Sequence, residues 1–442
     1  MTTLSILIVV SFVIGYMCIA LESLTRVNKA AIALLMCVVC WTLLMLNPAS
    51  FYPAVSGDVV HHISGVIEHH LGDAAGTLFF LMGAMTIVEI VDSNGGFNFV
   101  RDALKTRSKR KLMWRVAFMT FFLSAILDNL TTSIVMIMVL RKLVQSREER
   151  LLYAALIIIS ANSGGAFSPI GDVTTIMLWI KGVITTQGVI TEIFIPSLVS
   201  MVIPAGIISM HLKGKFDKEQ NLPKSTASQF TKIQREIIFW LGVGGLVFVP
   251  IFKTLTHLPP FMGILLVLGI LWTTTEIFHY NTDEDDTMAK RVSDIMSKID
   301  LSTIMFFLGI LMAVAVLQEI GVLTAMGEGL NEAFSGNYYL INGIIGVLSS
   351  IVDNVPLVAG CMGMYPVAEA GPMAVDGIFW QLLAYCAGVG GSMLIIGSAA
   401  GVVVMGLEKI TFGWYLKRIT WIAFVGYLCG ILIYWIERML FF

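Results

Sequence analysis

Charge is scarce in this sequence. Asp, Glu, Lys and Arg make up 13% of its 442 residues, against about a quarter in a soluble domain. Apolar residues, at 57%, fill the gap in runs close to the length a helix needs to cross the hydrocarbon of a bilayer. The net charge of −2 leaves no basic footprint for nucleic acid. Cysteine is scarce as well: Cys18, Cys37, Cys40, Cys361, Cys386 and Cys429 all lie in or beside apolar runs. Cys37 and Cys40 have no second pair to complete a metal or redox motif, and cysteine in lipid behaves as a small hydrophobe. No H-E-x-x-H, nucleophile elbow or P-loop occurs, so nothing points to an enzyme, a cofactor or ATP. The N-terminus is apolar from residue 4 without the basic stretch of a cleavable signal, and reads as a first span.

What fills the chain is membrane-length hydrophobicity. The predicted spans are 4–21, 30–47, 76–97, 151–182, 189–210, 236–254, 260–279, 302–320, 378–408 and 419–436. Two further apolar stretches, 116–140 and 339–364, each carry a polar pair in the middle, Asp128-Asn129 and Asp353-Asn354. Basic residues crowd both flanks of the first, from Arg101 to Arg115 and from Arg141 to Arg150. Lys and Arg near membrane ends favour the cytoplasm. Both clusters stay inside only if the stretch enters, turns at its Asp-Asn pair and leaves on the same side. Such re-entrant backbone is allowed where it lines a protein-walled cavity. With both stretches threaded as hairpins, in a multi-pass protein of the cell (inner) membrane with its N- and C-termini extracytoplasmic, all but Lys181, Lys253 and Arg438 of the 28 Lys and Arg are cytoplasmic. The loop 48–75, with His61, His62, His69 and His70, is then external and wet. Those histidines read as solvated side chains or as pH sensors. The acidic run 283–286 reads as a solvated cytoplasmic loop. Trp41, Trp114, Trp179, Trp240, Trp380, Trp414 and Trp435 fall near span ends, where interfacial tryptophan belongs.

The two halves resemble each other at an offset of about 225 residues, with Asp128-Asn129 matching Asp353-Asn354 and Gly165 and Gly171 matching Gly391 and Gly397. The expected fold is therefore an all-α polytopic membrane protein of two inverted-topology repeats. Residues 1–210 form the first, with a re-entrant hairpin at 116–140 and a broken helix at 151–182. Residues 211–235 are a cytoplasmic linker. Residues 236–442 form the second, with a hairpin at 339–364 and a broken helix at 378–408. Each repeat holds five spans and one hairpin, and an odd number of spans turns the second upside down. Repeats of this kind meet at the membrane midplane, where broken helices receive substrate.

The first break reads S-A-N-S-G-G-A-F-S-P-I-G-D-V-T-T over 160–175. Gly164, Gly165, Pro169 and Gly171 interrupt the helix, and the freed backbone groups must face protein, water or an ion. Asp128, Asp172 and Asp353 lie at or beside the breaks, and no Lys or Arg falls at predicted membrane depth. A buried carboxylate with no basic partner is costly unless it is protonated or holds a cation. That alternation is what an H⁺/cation exchanger requires. Asn129, Asn162 and Asn354 offer amide oxygens, and Thr131, Thr132, Ser163, Thr174 and Thr175 offer hydroxyls, the ligands of hard cations. Two readings stand for Asp172, ion ligand or helix cap. Ser124 and Ser349 bond either an ion or the hairpin backbone. Glu89, Asp92 and Glu319 read as interfacial.

At these residues the chain resembles the NhaD-type sodium/proton antiporters of the ion-transporter superfamily. The specific pieces are L-D-N-L-T-T-S at 127–133, A-N-S-G-G-A-F-S-P-I-G-D-V-T-T at 161–175 and V-D-N-V-P at 352–356. The resemblance implies exchange of Na⁺ or Li⁺ for H⁺ with no cofactor, and a homodimer in the bilayer whose scaffold holds a moving transport domain. It draws Ser124, Asp128, Asn129, Asn162, Asp172, Thr174, Thr175, Ser349, Asp353 and Asn354 into one site, with Na⁺ expected at Asp128, Asp172 and Asp353. The second break lacks the Asn and Asp of the first, so the halves contribute unequally. The rivals are a carrier of citrate or another dicarboxylate, against which the tip aspartates argue, and a cation channel, which would present a continuous pore.

Overall fold

In the computed structural model, residues 3–20, 27–52, 59–97, 100, 103–212, 214–216, 230–280, 292–297 and 299–441 are described. The acidic run 283–286 and most of the linker 211–235 lie outside them. Among the described residues the chain is helical, with one isolated bridge between Ser108 and Lys215.

The helices are α1 (Thr3–Ala20), α2 (Lys29–Met45), α3 (Val59–Ser93), α4 (Lys109–Leu127), α5 (Asn129–Leu143), α6 (Arg147–Ala166), α7 (Val173–Lys181), α8 (Thr186–His211), α9 (Lys232–Thr256) and α10 (Pro260–Tyr280). After them come α11 (Val292–Met296), α12 (Leu301–Glu319), α13 (Val322–Ala333), α14 (Tyr338–Ser349), α15 (Asn354–Met364), α16 (Ile378–Gly390), α17 (Ala399–Glu408), α18 (Phe412–Arg418) and α19 (Thr420–Phe441). Six of them, α3, α8, α9, α10, α12 and α19, are long and apolar enough to cross a bilayer. This is a polytopic membrane protein.

The helices sort into two packed groups. In one, α12 lies along α2, α1 packs on α2, and α3 packs with α9, α10 and α12. In the other, α4 and α5 flank α6, α14 packs on α16, α8 lies along α19, and α6 touches α16. Contacts of α15 with α12 and of α7 with α3 join the two groups.

Local chemistry sets the interruptions. Between α6 and α7, Pro169 has no N–H to donate and Gly171 approaches other backbone too closely for a side chain: a Cβ there would lie 2.8 Å from the Ser124 carbonyl oxygen. In the second half a Cβ on Gly397 would lie 2.8 Å from the Ser349 carbonyl oxygen. The contacts thus recur at the sequence offset. Ser124 Oγ donates to the Ala161 carbonyl at 2.6 Å and Ser349 Oγ to the Ala387 carbonyl at 2.7 Å. These two serines tie α4 to α6 and α14 to α16 through backbone.

Three expectations need correction. Residues 59–75 are not a loop but the first half of α3, whose 35 residues span about 52 Å, well beyond a hydrocarbon core of about 30 Å. At helical spacing between the histidines, Ile63 is buried and Val59, Val66 and Ile67 are half-buried, so a wet-looking segment still packs as helix. Trp41, Trp179 and Trp380 are buried inside the protein rather than at its lipid interface, and the Trp41 indole donates to the Met312 carbonyl at 3.0 Å. The third correction concerns Lys29, described with the site.

Candidate ion site

Asp172 closes the break between α6 and α7. Its side chain caps α7, accepting from the Thr174 N–H at 3.4 Å, while Thr175 Oγ1 donates to the Asp172 carbonyl at 2.8 Å. Capping alone leaves acceptor capacity, and two asparagines use it. Asn129 Nδ2 donates to Asp172 Oδ2 at 3.0 Å, and Asn354 Nδ2 reaches the same oxygen at 3.2 Å. These asparagines are the first residues of α5 and α15. The N-terminal ends of three helices, α5, α7 and α15, therefore meet at one carboxylate that is 1% exposed.

A second ring of amides and hydroxyls surrounds it. Asn129 Nδ2 also donates to Asn162 Oδ1 at 3.1 Å, and Asn162 Nδ2 donates to Ser392 Oγ and Ser398 Oγ, each at 2.9 Å. Gly388 leaves room beside Asp172, since a Cβ there would lie 3.6 Å from Oδ2. The buried hydroxyls of Thr132, one turn into α5, and Thr174, in the first turn of α7, have no hydrogen-bond partner among the described residues. The donor set is all oxygen and amide, with no described His/Cys/Asp/Glu group of the kind that holds a transition metal.

The other expected residues make bonds of their own. Asp128 sits at φ 73° on the tip between α4 and α5, a conformation L side chains rarely adopt and one that functional sites favour. Both its carboxylate oxygens serve the cap: Oδ1 takes the Thr131 N–H at 2.7 Å and Oδ2 the Thr131 hydroxyl at 2.9 Å. Asp353 accepts from the Val355 N–H at 3.3 Å. Ser163 receives the Ser200 hydroxyl of α8 at 2.9 Å. The expectation that the tip carboxylates lack basic partners fails for Asp353, because Lys29 Nζ lies 3.2 Å from its Oδ2. A long apolar stem lets lysine carry its charge away from its own backbone position.

Several polar groups escaped sequence reasoning. Ser398 caps α17 as Asp172 caps α7, and the offset that pairs Gly171 with Gly397 pairs Asp172 with Ser398, so the register held the signal. Glu408 is buried at the end of α17, held by Arg141 Nε and Arg150 Nε at 2.7 Å each. Glu192 is buried in α8, with Arg438 at 3.1 Å and the Tyr434 hydroxyl at 3.2 Å. Glu319, which the sequence places near a span end, instead accepts at the end of α12 from Tyr52 at 2.6 Å and lies 2.8 Å from His70 Nε2. It borders a cavity of about 660 Å³ also lined by His69, Asp73, Lys181 and Gln318.

Residues 16–382 match the family described as citrate transporter (CitMHS). Over 423 residues the chain is 45% identical to "Sodium/proton antiporter 1" of Arabidopsis thaliana, covering 96% of this chain and 71% of that protein. It is 42% identical to "Sodium/proton antiporter 2" of the same plant, over 96% of this chain and 97% of that protein. It is 30% identical to "Na(+)/H(+) antiporter NhaD" of Alkalimonas amylolytica, over 97% and 90%. The chain belongs to this transporter family, among its NhaD-type antiporters.

Proposed function

We propose that the protein exchanges Na⁺ or Li⁺ for H⁺ at a single site centred on Asp172. The observation that carries this is the carboxylate itself, buried where three helix N-termini meet. Helix N-termini attract anions. In this chain the anion they surround is built in, so the position suits a cation or a proton and leaves no welcome for a citrate carboxylate. Protonation and cation binding compete for the same oxygens, which couples the two ions without a separate device. Asn129 and Asn354 hold the carboxylate through their N–H groups when no cation is present, and turn their amide oxygens inward when one binds. Asn162, Thr132 and Thr174 supply further oxygens. Asp128, Asp353, Ser163 and Thr175 shape the site by fixing the helix ends that carry it, and Ser124 and Ser349 fix the approach of each tip to its broken helix.

The inverted-repeat architecture is part of the same reading. Tyr153 donates its hydroxyl to the Lys109 carbonyl at 2.8 Å, and Lys109 pairs with Glu149. The entry to α4 and the segment after α5 thus share one end of α6, as a re-entrant hairpin over 116–140 requires. The recurring Ser–carbonyl and Gly–carbonyl contacts support two repeats, 1–210 and 236–442. The group containing α1–α3, α9, α10 and α12 is the proposed scaffold and dimer frame, and the group carrying Asp172 is the proposed moving part. Fluorescence recovery of an imposed ΔpH in everted vesicles, on addition of Na⁺, Li⁺, K⁺ or citrate, tests the function. Recovery with Na⁺ or Li⁺ is expected. Recovery with citrate alone would assign the protein to anion transport.

A further inference from the structure

Lys29 is the first residue of α2, a position where the helix dipole disfavours a cation, and α2 has no acidic residue in that turn. Helix stability therefore gives no reason for this lysine. Its surroundings do. The ammonium lies 3.2 Å from Asp353 Oδ2 and 4.3 Å from the centre of the Phe306 ring on α12. The N-terminus of α2 is itself fastened to α12, where Asn28 and Ser302 exchange hydrogen bonds at 2.9 and 3.1 Å. Lys29 and Asp353 are largely covered, with side chains 26% and 18% exposed. Asp353 is the tip residue beside Asn354, and Asn354 donates to Asp172. On α1, the buried Tyr16 hydroxyl has no hydrogen-bond partner among the described residues. One ion pair thus crosses from the α1–α2–α12 group to the tip that completes the ion site.

We infer that Lys29 is a positioning residue, a tethered cation that holds Asp353 away from the transported ion and latches the site-bearing helices to α2 and α12. The inference rests on the Asp172 site proposed above. With the ammonium on Asp353, the tip is neutral and anchored, and the cation meets Asp172 without the added charge of Asp353. Release of Asp353 frees the tip to move and adds a negative charge beside the site. Loss of the ammonium should therefore tighten cation binding and slow the cycle, because the ion is held by both charges and the anchored position is lost.

The test is Na⁺-dependent H⁺ exchange in proteoliposomes, reading apparent KM for Na⁺ and maximal rate separately. Lys29→Gln is expected to lower KM about fivefold, the effect of a partly exposed ion pair of about 1 kcal/mol, and to lower the maximal rate. Lys29→Arg, which keeps the charge, should hold both near wild type. A merely structural lysine would change the amount of folded protein without tightening KM. Unchanged or raised KM in Lys29→Gln would overturn the inference. If that variant fails to reach the membrane, Lys29→Met, with its similar apolar stem, reads the same constants. Asp172→Asn is measured alongside. Exchange persisting there refutes the site reading, whereas a silent Asp172→Asn with unchanged KM in Lys29→Gln refutes the latch alone.

Discussion

Replacing Asp172 by Asn keeps the volume of the side chain and removes its charge. In the structure Asp172 Oδ2 accepts from both Asn129 and Asn354, and a cation would take the place of those donors on the same oxygen. Contacts of this kind, with a charged acceptor, are each worth about 1.5–3 kcal/mol. These bonds belong to the carboxylate without its cation, so the loss on substitution comes from the charge itself: the amide offers the cation no negative oxygen and has no proton to give up in exchange. The substituted amide also turns a donor towards donors, so the asparagines lose their partner. Asp172→Asn should therefore leave exchange below about 1% of wild type at matched Na⁺. The assay is ΔpH dissipation in everted vesicles, with membrane insertion and a monodisperse elution profile checked for each variant. Retention of about a tenth or more of wild-type exchange corresponds to a loss near 1.4 kcal/mol and would refute the placement of the cation on this carboxylate.

The other perturbations probe the frame around the site. Glu408→Ala strands two arginines at the end of α17 and should cost about 2 kcal/mol, less than a fully buried pair because Arg141 is partly exposed; the readout is the melting temperature of the detergent-solubilised protein. Gly164→Ala places a Cβ on the Phe121 carbonyl oxygen and should abolish folded protein, while Gly244→Ala, whose Cβ meets nothing within 4 Å, should elute as wild type. Ser108→Cys and Ser146→Cys in a background free of other cysteines should both label from the cytoplasmic face, and labelling from opposite faces would remove the hairpin.

Much of the element order was legible in the chain. Pro169 and Gly171 announced the break at 167–172, and each Asp-Asn pair stands where one helix ends and the next begins. Legibility ended where a residue's meaning depends on a distant partner. Nothing in the sequence singles out Glu192 and Glu408, whose partners Arg438, Arg141 and Arg150 come from more than two hundred residues away. Lys29 reads as a cytoplasmic flank because sequence position records its Cα, whereas its charge sits at the end of a flexible stem. The histidines of α3 hide the helical spacing of Val59, Ile63, Val66 and Ile67, since polar residues interrupt the apolar ones at every turn. The different surroundings of the three aspartates were also hidden. All three sit at helix starts, and only the side-chain geometry separates Asp172, which gathers amides from two tips, from Asp128, which is occupied by its own turn, and Asp353, which faces Lys29.

The central claim is that Na⁺ and H⁺ compete for Asp172, and proton release on ion binding reads it without any membrane gradient. Purified protein in weakly buffered detergent solution receives NaCl, with choline chloride as the control, while a pH-sensitive dye follows free H⁺. Na⁺ is expected to release protons in a saturable way, choline is not, and Asp172→Asn should release none. Saturable Na⁺ binding with no proton release, or undiminished release from Asp172→Asn, would contradict it.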